Sequence, residues 1–115
     1  MPNSLNDLIL SANEFTAIQE ATRQLKEAFP VVEVILFGSV ARCEAQEGSD
    51  IDLLVLTSEE VSHRTRNQMS DIIFEINFAY QTNLSIVIAE ANSWNNGIMS
   101  LVALHDEVQR DGVYL

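Results

Sequence analysis

The residues able to do chemistry are gathered in Leu36-Phe37-Gly38-Ser39-Val40-Ala41-Arg42 and Gly48-Ser49-Asp50-Ile51-Asp52-Leu53-Leu54-Val55. Gly38 and Ser39 stand where an apolar, β-branched run gives way to a stretch that can start a short helix, Val40 to Glu44. A strand-to-helix turn offers free backbone N–H groups, a hydroxyl and the positive helix end to an anion, which is the chemistry of a phosphate cradle. Asp50 and Asp52 lie two apart in a second apolar run. On a strand that spacing puts both carboxylates on one face, where they suit a hard divalent cation that takes oxygen ligands, Mg²⁺ above all. A nucleoside triphosphate held by turn and metal together would have its α-phosphorus beside the cation. An attacking hydroxyl could then displace pyrophosphate in line.

These residues need elements to hold them. Phe15, Ile18, Ala21, Thr22, Leu25 and Phe29 recur at steps of three and four, predicting a helix that Pro30 ends. Val31 to Phe37 reads as a strand covered on both faces and stopped by Gly38-Ser39. Cys43 to Ser49 is a polar loop, and Ile51 to Leu56 a second buried strand whose opening carries two acids, an unusual place for them. Thr57-Ser58-Glu59-Glu60 reads as a capping box with Thr57 as N-cap, Ser58 and Ser62 being alternatives. The long helix that follows places Met69, Ile72, Ile73, Ile76, Ala79 and Tyr80 on its apolar stripe. Leu84 to Ala89 is a third strand, and Trp94 to about Arg110 is mostly helical before Gly112. The alternation predicts an α/β (α+β) fold, a small mixed sheet of three or more strands packed with helices, with strand order open.

Composition narrows the function. The chain has 115 residues, 17 acidic against 6 basic side chains, a net charge of −11 and one cysteine. That length suits a single domain over residues 1–115. Direct binding to nucleic acid or an anionic membrane is not expected, because a phosphate backbone must be met by clustered Lys and Arg. A basic protein partner fits better. One cysteine makes neither an internal disulfide nor a cysteine zinc site, and Met1 to Leu10 lacks the pattern of a signal peptide. A cytoplasmic, reducing location is the expectation.

Gly38-Ser39, ten intervening residues, then Asp50-Ile51-Asp52 is similar to the signature of the DNA polymerase beta-like nucleotidyltransferase superfamily. The resemblance extends loosely from about Ala17 to the C-terminus, and the short length is like that of the minimal nucleotidyltransferases, the MNT proteins. It implies the nucleotidyltransferase fold, an ATP or other NTP substrate, Mg²⁺ on Asp50 and Asp52 as catalytic ligands, and triphosphate binding by Gly38, Ser39 and Arg42. In the subgroup that acts as antitoxins it also implies a HEPN-domain ribonuclease toxin as partner, in some pairs neutralised by transfer of AMP to a tyrosine. Two positions depart from the pattern. Cys43 stands where many relatives have glycine. On the third strand, where relatives usually carry another carboxylate, this chain has Asn83-Leu84-Ser85, with Glu90 and Glu75 the nearest acids in sequence.

Plainer readings exist for several of these residues. Asp50 and Asp52 could bond to loop amides, but the Gly-Ser element at the matching distance favours metal. Arg42 divides evenly between phosphate and a surface acid such as Glu44. Cys43 reads as a small, partly buried loop side chain, His63 and His105 as solvated helix residues, and Trp94 as an anchor of the last helix. The leading expectation is a Mg²⁺-dependent transfer of AMP from ATP to a hydroxyl of a separate protein. Its main rival is a binding-only antitoxin that blocks a HEPN ribonuclease sterically, and a more distant one is a homo-oligomeric aminoglycoside-modifying transferase.

Overall fold

The structure, a computed structural model, describes residue 5 and residues 8–45, 49–97 and 102–115. Helix α1 (Ala12–Ala28) opens on a reciprocal capping box, with Ser11 Oγ accepting from the Glu14 amide and the Glu14 carboxylate accepting from the Ser11 amide. Both satisfy amides that the first helical turn leaves without partners. The Ser11-Ala12-Asn13-Glu14 signal is present in the sequence, and it starts the helix three residues before the apolar stripe does. Strands β1 (Val31–Phe37) and β2 (Ile51–Thr57) follow, the second one residue longer than expected. Thr57 therefore ends a strand, and Ser62 caps α2 (His63–Tyr80) by accepting from the Thr65 amide. Along α2, Met69, Ile73 and Ile76 are buried whereas Ala79 is exposed, so the apolar stripe is narrower than the sequence suggests.

Strand β3 (Leu84–Glu90) leads directly into α3 (Ala91–Asn96), and α4 (Ala103–Asp111) into β4 (Val113–Tyr114). The expected single helix from Trp94 to Arg110 is thus two, and a fourth strand lies beyond Gly112. Val40 to Glu44 is a set of hydrogen-bonded turns rather than a helix, with Cys43 at φ 59. Cys43 is exposed, not partly buried. Its left-handed backbone is the conformation that glycine adopts without a side-chain penalty, so the cysteine here carries a small backbone cost.

The sheet order is β3-β2-β1-β4, with β2 and β3 parallel and the β1–β2 and β1–β4 pairs antiparallel. Alternation along the central strands divides the core in two. Val34, Leu36, Ile51, Leu53 and Val55 pack beneath α1 and α2 with Ile18, Leu25, Met69 and Ile73. Ile35, Phe37, Leu54 and Leu56 face the other way, onto Trp94 and Val108 of α3 and α4. His105 is half-buried, its ring centroid 5.0 Å from that of Trp94, so it is a packed residue and not a solvated one. Gly112 joins α4 to β4 where a side chain has no room: a Cβ there would lie 2.5 Å from the Val108 carbonyl oxygen and 2.7 Å from Ile35 Cγ2. That close approach presses α4 onto β1. Among the described residues no helix is long and apolar enough to cross a membrane.

Candidate functional site

Asp52 pairs with Phe37 across the β1–β2 ladder, which brings the start of β2 alongside the end of β1. The next residue after Phe37 is Gly38, at φ +82, and a methyl group built on it would overlap Asp52 Oδ2. Ten intervening residues in sequence therefore collapse to direct apposition of the turn backbone and a carboxylate. Only glycine combines that φ with that proximity.

Beyond Gly38 the chain curls back on itself. The Arg42 amide donates to the Gly38 carbonyl at 3.1 Å, and the Glu44 amide to the Ser39 carbonyl at 2.9 Å. The amides of Ser39 and Val40 donate to no group among the described residues. Such a run of free N–H groups in a tight turn is a concavity that attracts anions, without the helix end expected from sequence. Ser39 is half-buried beside it.

Asp50 and Asp52 alternate with Ile51 and Leu53, whose side chains enter the α1–α2 core, so both acids face the α3–α4 side of the sheet. Asp50 is exposed and accepts a hydrogen bond from Asn83 Nδ2. Asp52 is half-buried. Burial, aided by the charges of Asp50 and Glu107, raises its pKa above the ordinary 3.8, while Arg42 pulls the other way. A half-buried carboxylate with net negative surroundings is one that a cation would relieve. The donor set fits a hard divalent ion, with two carboxylates at the mouth of an anion-attracting turn.

Helix α4 supplies the wall that sequence reasoning missed. Glu107 Oε1 lies 2.6 Å from Arg42 Nη1, and Glu44 Oε2 lies 3.3 Å from Arg42 Nε. Hydrogen bonds to Glu44 and then Glu107 raise the pKa of an already permanent cation. Arg42 thus pairs with acids, Glu44 among them, while standing one turn beyond Gly38. Nothing in the spacing of Arg42 and Glu107, 65 residues apart, announces the pair.

No acid occupies the third strand's place. Ser85, exposed, is in register with Asp52, and Asn83 is spent on Asp50. Glu90 pairs with Thr57, five residues along β3 from Ser85 or about 16 Å, where its carboxylate caps α3 at the Asn92 and Ser93 amides. Glu75 is exposed on α2, across the sheet from Asp50 and Asp52. Among the described residues no three His, Cys, Asp or Glu side chains converge as a metal-binding group. His63 is exposed on α2.

A small mixed sheet thus sets two carboxylates at the foot of one strand against a glycine turn at the head of its neighbour. Residues 18–103 match the family described as the nucleotidyltransferase domain, and the chain belongs to that family. Over 77 residues it is 34% identical to a Methanocaldococcus jannaschii protein provisionally named a protein adenylyltransferase. That match takes in 64% of this chain and 52% of the other, so the chain spans about half the length of the curated relative. The fold is similar to a solved structure, also provisionally named, of a minimal nucleotidyltransferase, with a TM-score of 0.61 and 27% identity over 92% of this chain and 97% of that one. It is also similar in fold to a chain of the complex between a tri-AMPylated Shewanella oneidensis HEPN toxin and its MNT antitoxin. There the TM-score is 0.54 and the identity 18%, over 86% of this chain and 68% of that one.

Proposed function

We propose that this nucleotidyltransferase moves AMP from ATP to a hydroxyl of a partner protein, and that the partner is a HEPN-domain toxin for which the chain is the antitoxin. The observation that carries the reading is the apposition of Gly38 and Asp52, which sets the open amides of a phosphate turn beside a carboxylate pair. The relative named for protein adenylylation and the AMPylated toxin of the similar complex support the choice of AMP and of a protein acceptor.

In this reading the Ser39 and Val40 amides and the Ser39 hydroxyl bind phosphate oxygens of the triphosphate. Arg42 adds a planar, permanently charged donor from the same turn. Asp50, oriented by Asn83, and Asp52 would hold Mg²⁺, which when bound supplies neutralisation of phosphate charge. The acceptor oxygen attacks the α-phosphorus, the bond to the bridging oxygen breaks, and pyrophosphate leaves. The acceptor's proton passes to solvent water, because in this reading both carboxylates are engaged by the cation and the third strand supplies no further acid. The acceptor comes from outside the chain's own core. Phe74 and Phe78, 71% and 75% exposed one turn apart on α2 beside Asp71 and Glu75, suit a partner whose apolar surface is edged by basic groups.

A second reading keeps the complex and drops the chemistry. Ser85 in the position that registers with Asp52 favours it, since two carboxylates grip a cation less firmly than three. Incubating the chain with α-phosphate-labelled ATP, Mg²⁺ and a purified HEPN-domain toxin separates the two. Label on the partner that is lost in the Asp50→Ala/Asp52→Ala variant supports transfer. Tight association with no label, unaffected by that variant, supports steric blockade.

A further inference from the structure

Helix α4 contributes nothing to the expected motif, yet it sends one acid into the site. Its inward face reads Leu104, Glu107, Val108 and Asp111, at steps of three and four. Leu104 and Val108 pack on the Ile35–Phe37 face, and Gly112 lets the helix end sit directly on Ile35. Glu107 is therefore delivered by a helix that the core fixes in place, and its carboxylate meets the Arg42 guanidinium at 2.6 Å with both side chains about one-third exposed. Glu44 holds Nε from the other side. Of the two terminal guanidinium nitrogens, Nη2 makes no bond to the described residues.

We propose that Glu107 is a positioning residue for the nucleotide: from α4 it holds the Arg42 fork over the Gly38–Ser39 turn so that the remaining nitrogen meets a phosphate oxygen. This rests on the nucleotide-binding reading given above. A free arginine carries rotamer entropy of about 2 kcal/mol, part of which a ligand would have to overcome on binding. In this chain the Glu107 carboxylate, with a longer contact from the exposed Glu44, holds the fork before any ligand arrives. A pair only about one-third exposed orients the guanidinium, and as a rigid plane it directs its third nitrogen by geometry alone. The pair also ties the phosphate turn to the C-terminal helix, two segments that share no strand pairing.

The test is a double-mutant cycle on binding, read by calorimetry with Mg²⁺ and an ATP analogue whose α–β bridge is not cleavable. Glu107→Ala is expected to weaken the analogue about tenfold, and Arg42→Ala by at least as much. The double variant should be no weaker than Arg42→Ala alone, and Glu107→Gln, which keeps an acceptor without the charge, should fall between wild type and Glu107→Ala. If Glu107→Ala does not fold, the same cycle is run with Glu107→Gln. Wild-type affinity in both Glu107 variants overturns the proposal, as does tighter binding, which would make Glu107 a competitor for Arg42. A double variant weaker than Arg42→Ala by the full Glu107 factor also overturns it, because Glu107 would then act apart from the arginine. Failure of the wild-type chain to bind the analogue removes the nucleotide reading itself and this proposal with it.

Discussion

Replacing Gly38 by alanine separates what the turn does for folding from what it does for the carboxylate. The first cost is backbone: at φ +82 an L-residue is held outside its favoured regions, for about 1–2 kcal/mol. With 115 residues and about 2.1 cal/mol/K of unfolding entropy per residue, the melting slope is roughly 0.24 kcal/mol/K. A fall of about 4–8 °C follows. The second cost is local. The new methyl overlaps Asp52 Oδ2, but Asp52 Cγ and Cβ stand at 3.4 and 3.6 Å, ordinary contact distances. Rotation of the carboxylate about its last torsion therefore relieves the overlap with little loss of stability, and what changes is the direction in which its oxygens point. Two measurements follow: thermal melting of the metal-free chain, and calorimetric affinity for Mg²⁺ with a non-cleavable ATP analogue. Gly38→Ala should lose the stated melting temperature equally in wild-type and Asp52→Ala backgrounds, while its affinity loss, tenfold or about 1.4 kcal/mol, should appear only where Asp52 is present. An unchanged melting temperature would refute the backbone argument. Equal affinity losses in both backgrounds would refute the claim that the turn acts through Asp52.

Three further outcomes are expected. Because burial, with help from Asp50 and Glu107, raises the Asp52 pKa above 3.8, the ionised carboxylate costs stability at neutral pH in the metal-free chain. Asp52→Asn should thus be more stable at pH 7, by less than about 1 kcal/mol given solvent screening; the gain should shrink as pH falls through the raised value and vanish below 3.8. Urea titrations across that window check it, and a gain independent of pH would count against the cause. Ser85→Asp, in register with Asp52 and on the same face, should raise Mg²⁺ affinity about tenfold and lower metal-free stability, as direct titration and melting would show. Asn77 ties the end of α2 to β3, its Nδ2 donating to the Leu84 carbonyl at 3.0 Å and its Oδ1 accepting from the Leu84 amide at 2.8 Å. Asn77→Ala should cost about 2–3 kcal/mol in denaturant titration, since two part-buried backbone groups lose their partners.

What the sequence makes legible here is what local chemistry decides. Pro30, the β-branched run to Phe37 and the 3.6-residue stripe through Ile73 each specify an element, and the two-residue step between Asp50 and Asp52 specifies a shared face. The Gly38-Ser39 and Asp50-X-Asp52 motifs are legible for the same reason, since the hairpin ladder that joins them is antiparallel and short in sequence. Where local signals compete the reading slips. Thr57 and Ser62 both carry capping hydroxyls, and the hydrogen bonds from Thr57 to the Glu59 and Ala89 carbonyls leave the cap to Ser62. Helix propensity in Val40 to Glu44 yields to a turn with Cys43 left-handed, which closes the chain over the site. Glu107 belongs to a third kind. Its place beside Arg42 depends on a two-residue strand, Val113–Tyr114, pairing with Ile35 and Leu36, and on Gly112 permitting helix and strand to touch. A strand that short has no periodicity to read, and a glycine needed for proximity looks in sequence like any helix stop. The wall of the site is thus set by tertiary packing at the far end of the chain, and for that reason its acid is the residue whose substitution tests the structure rather than the motif.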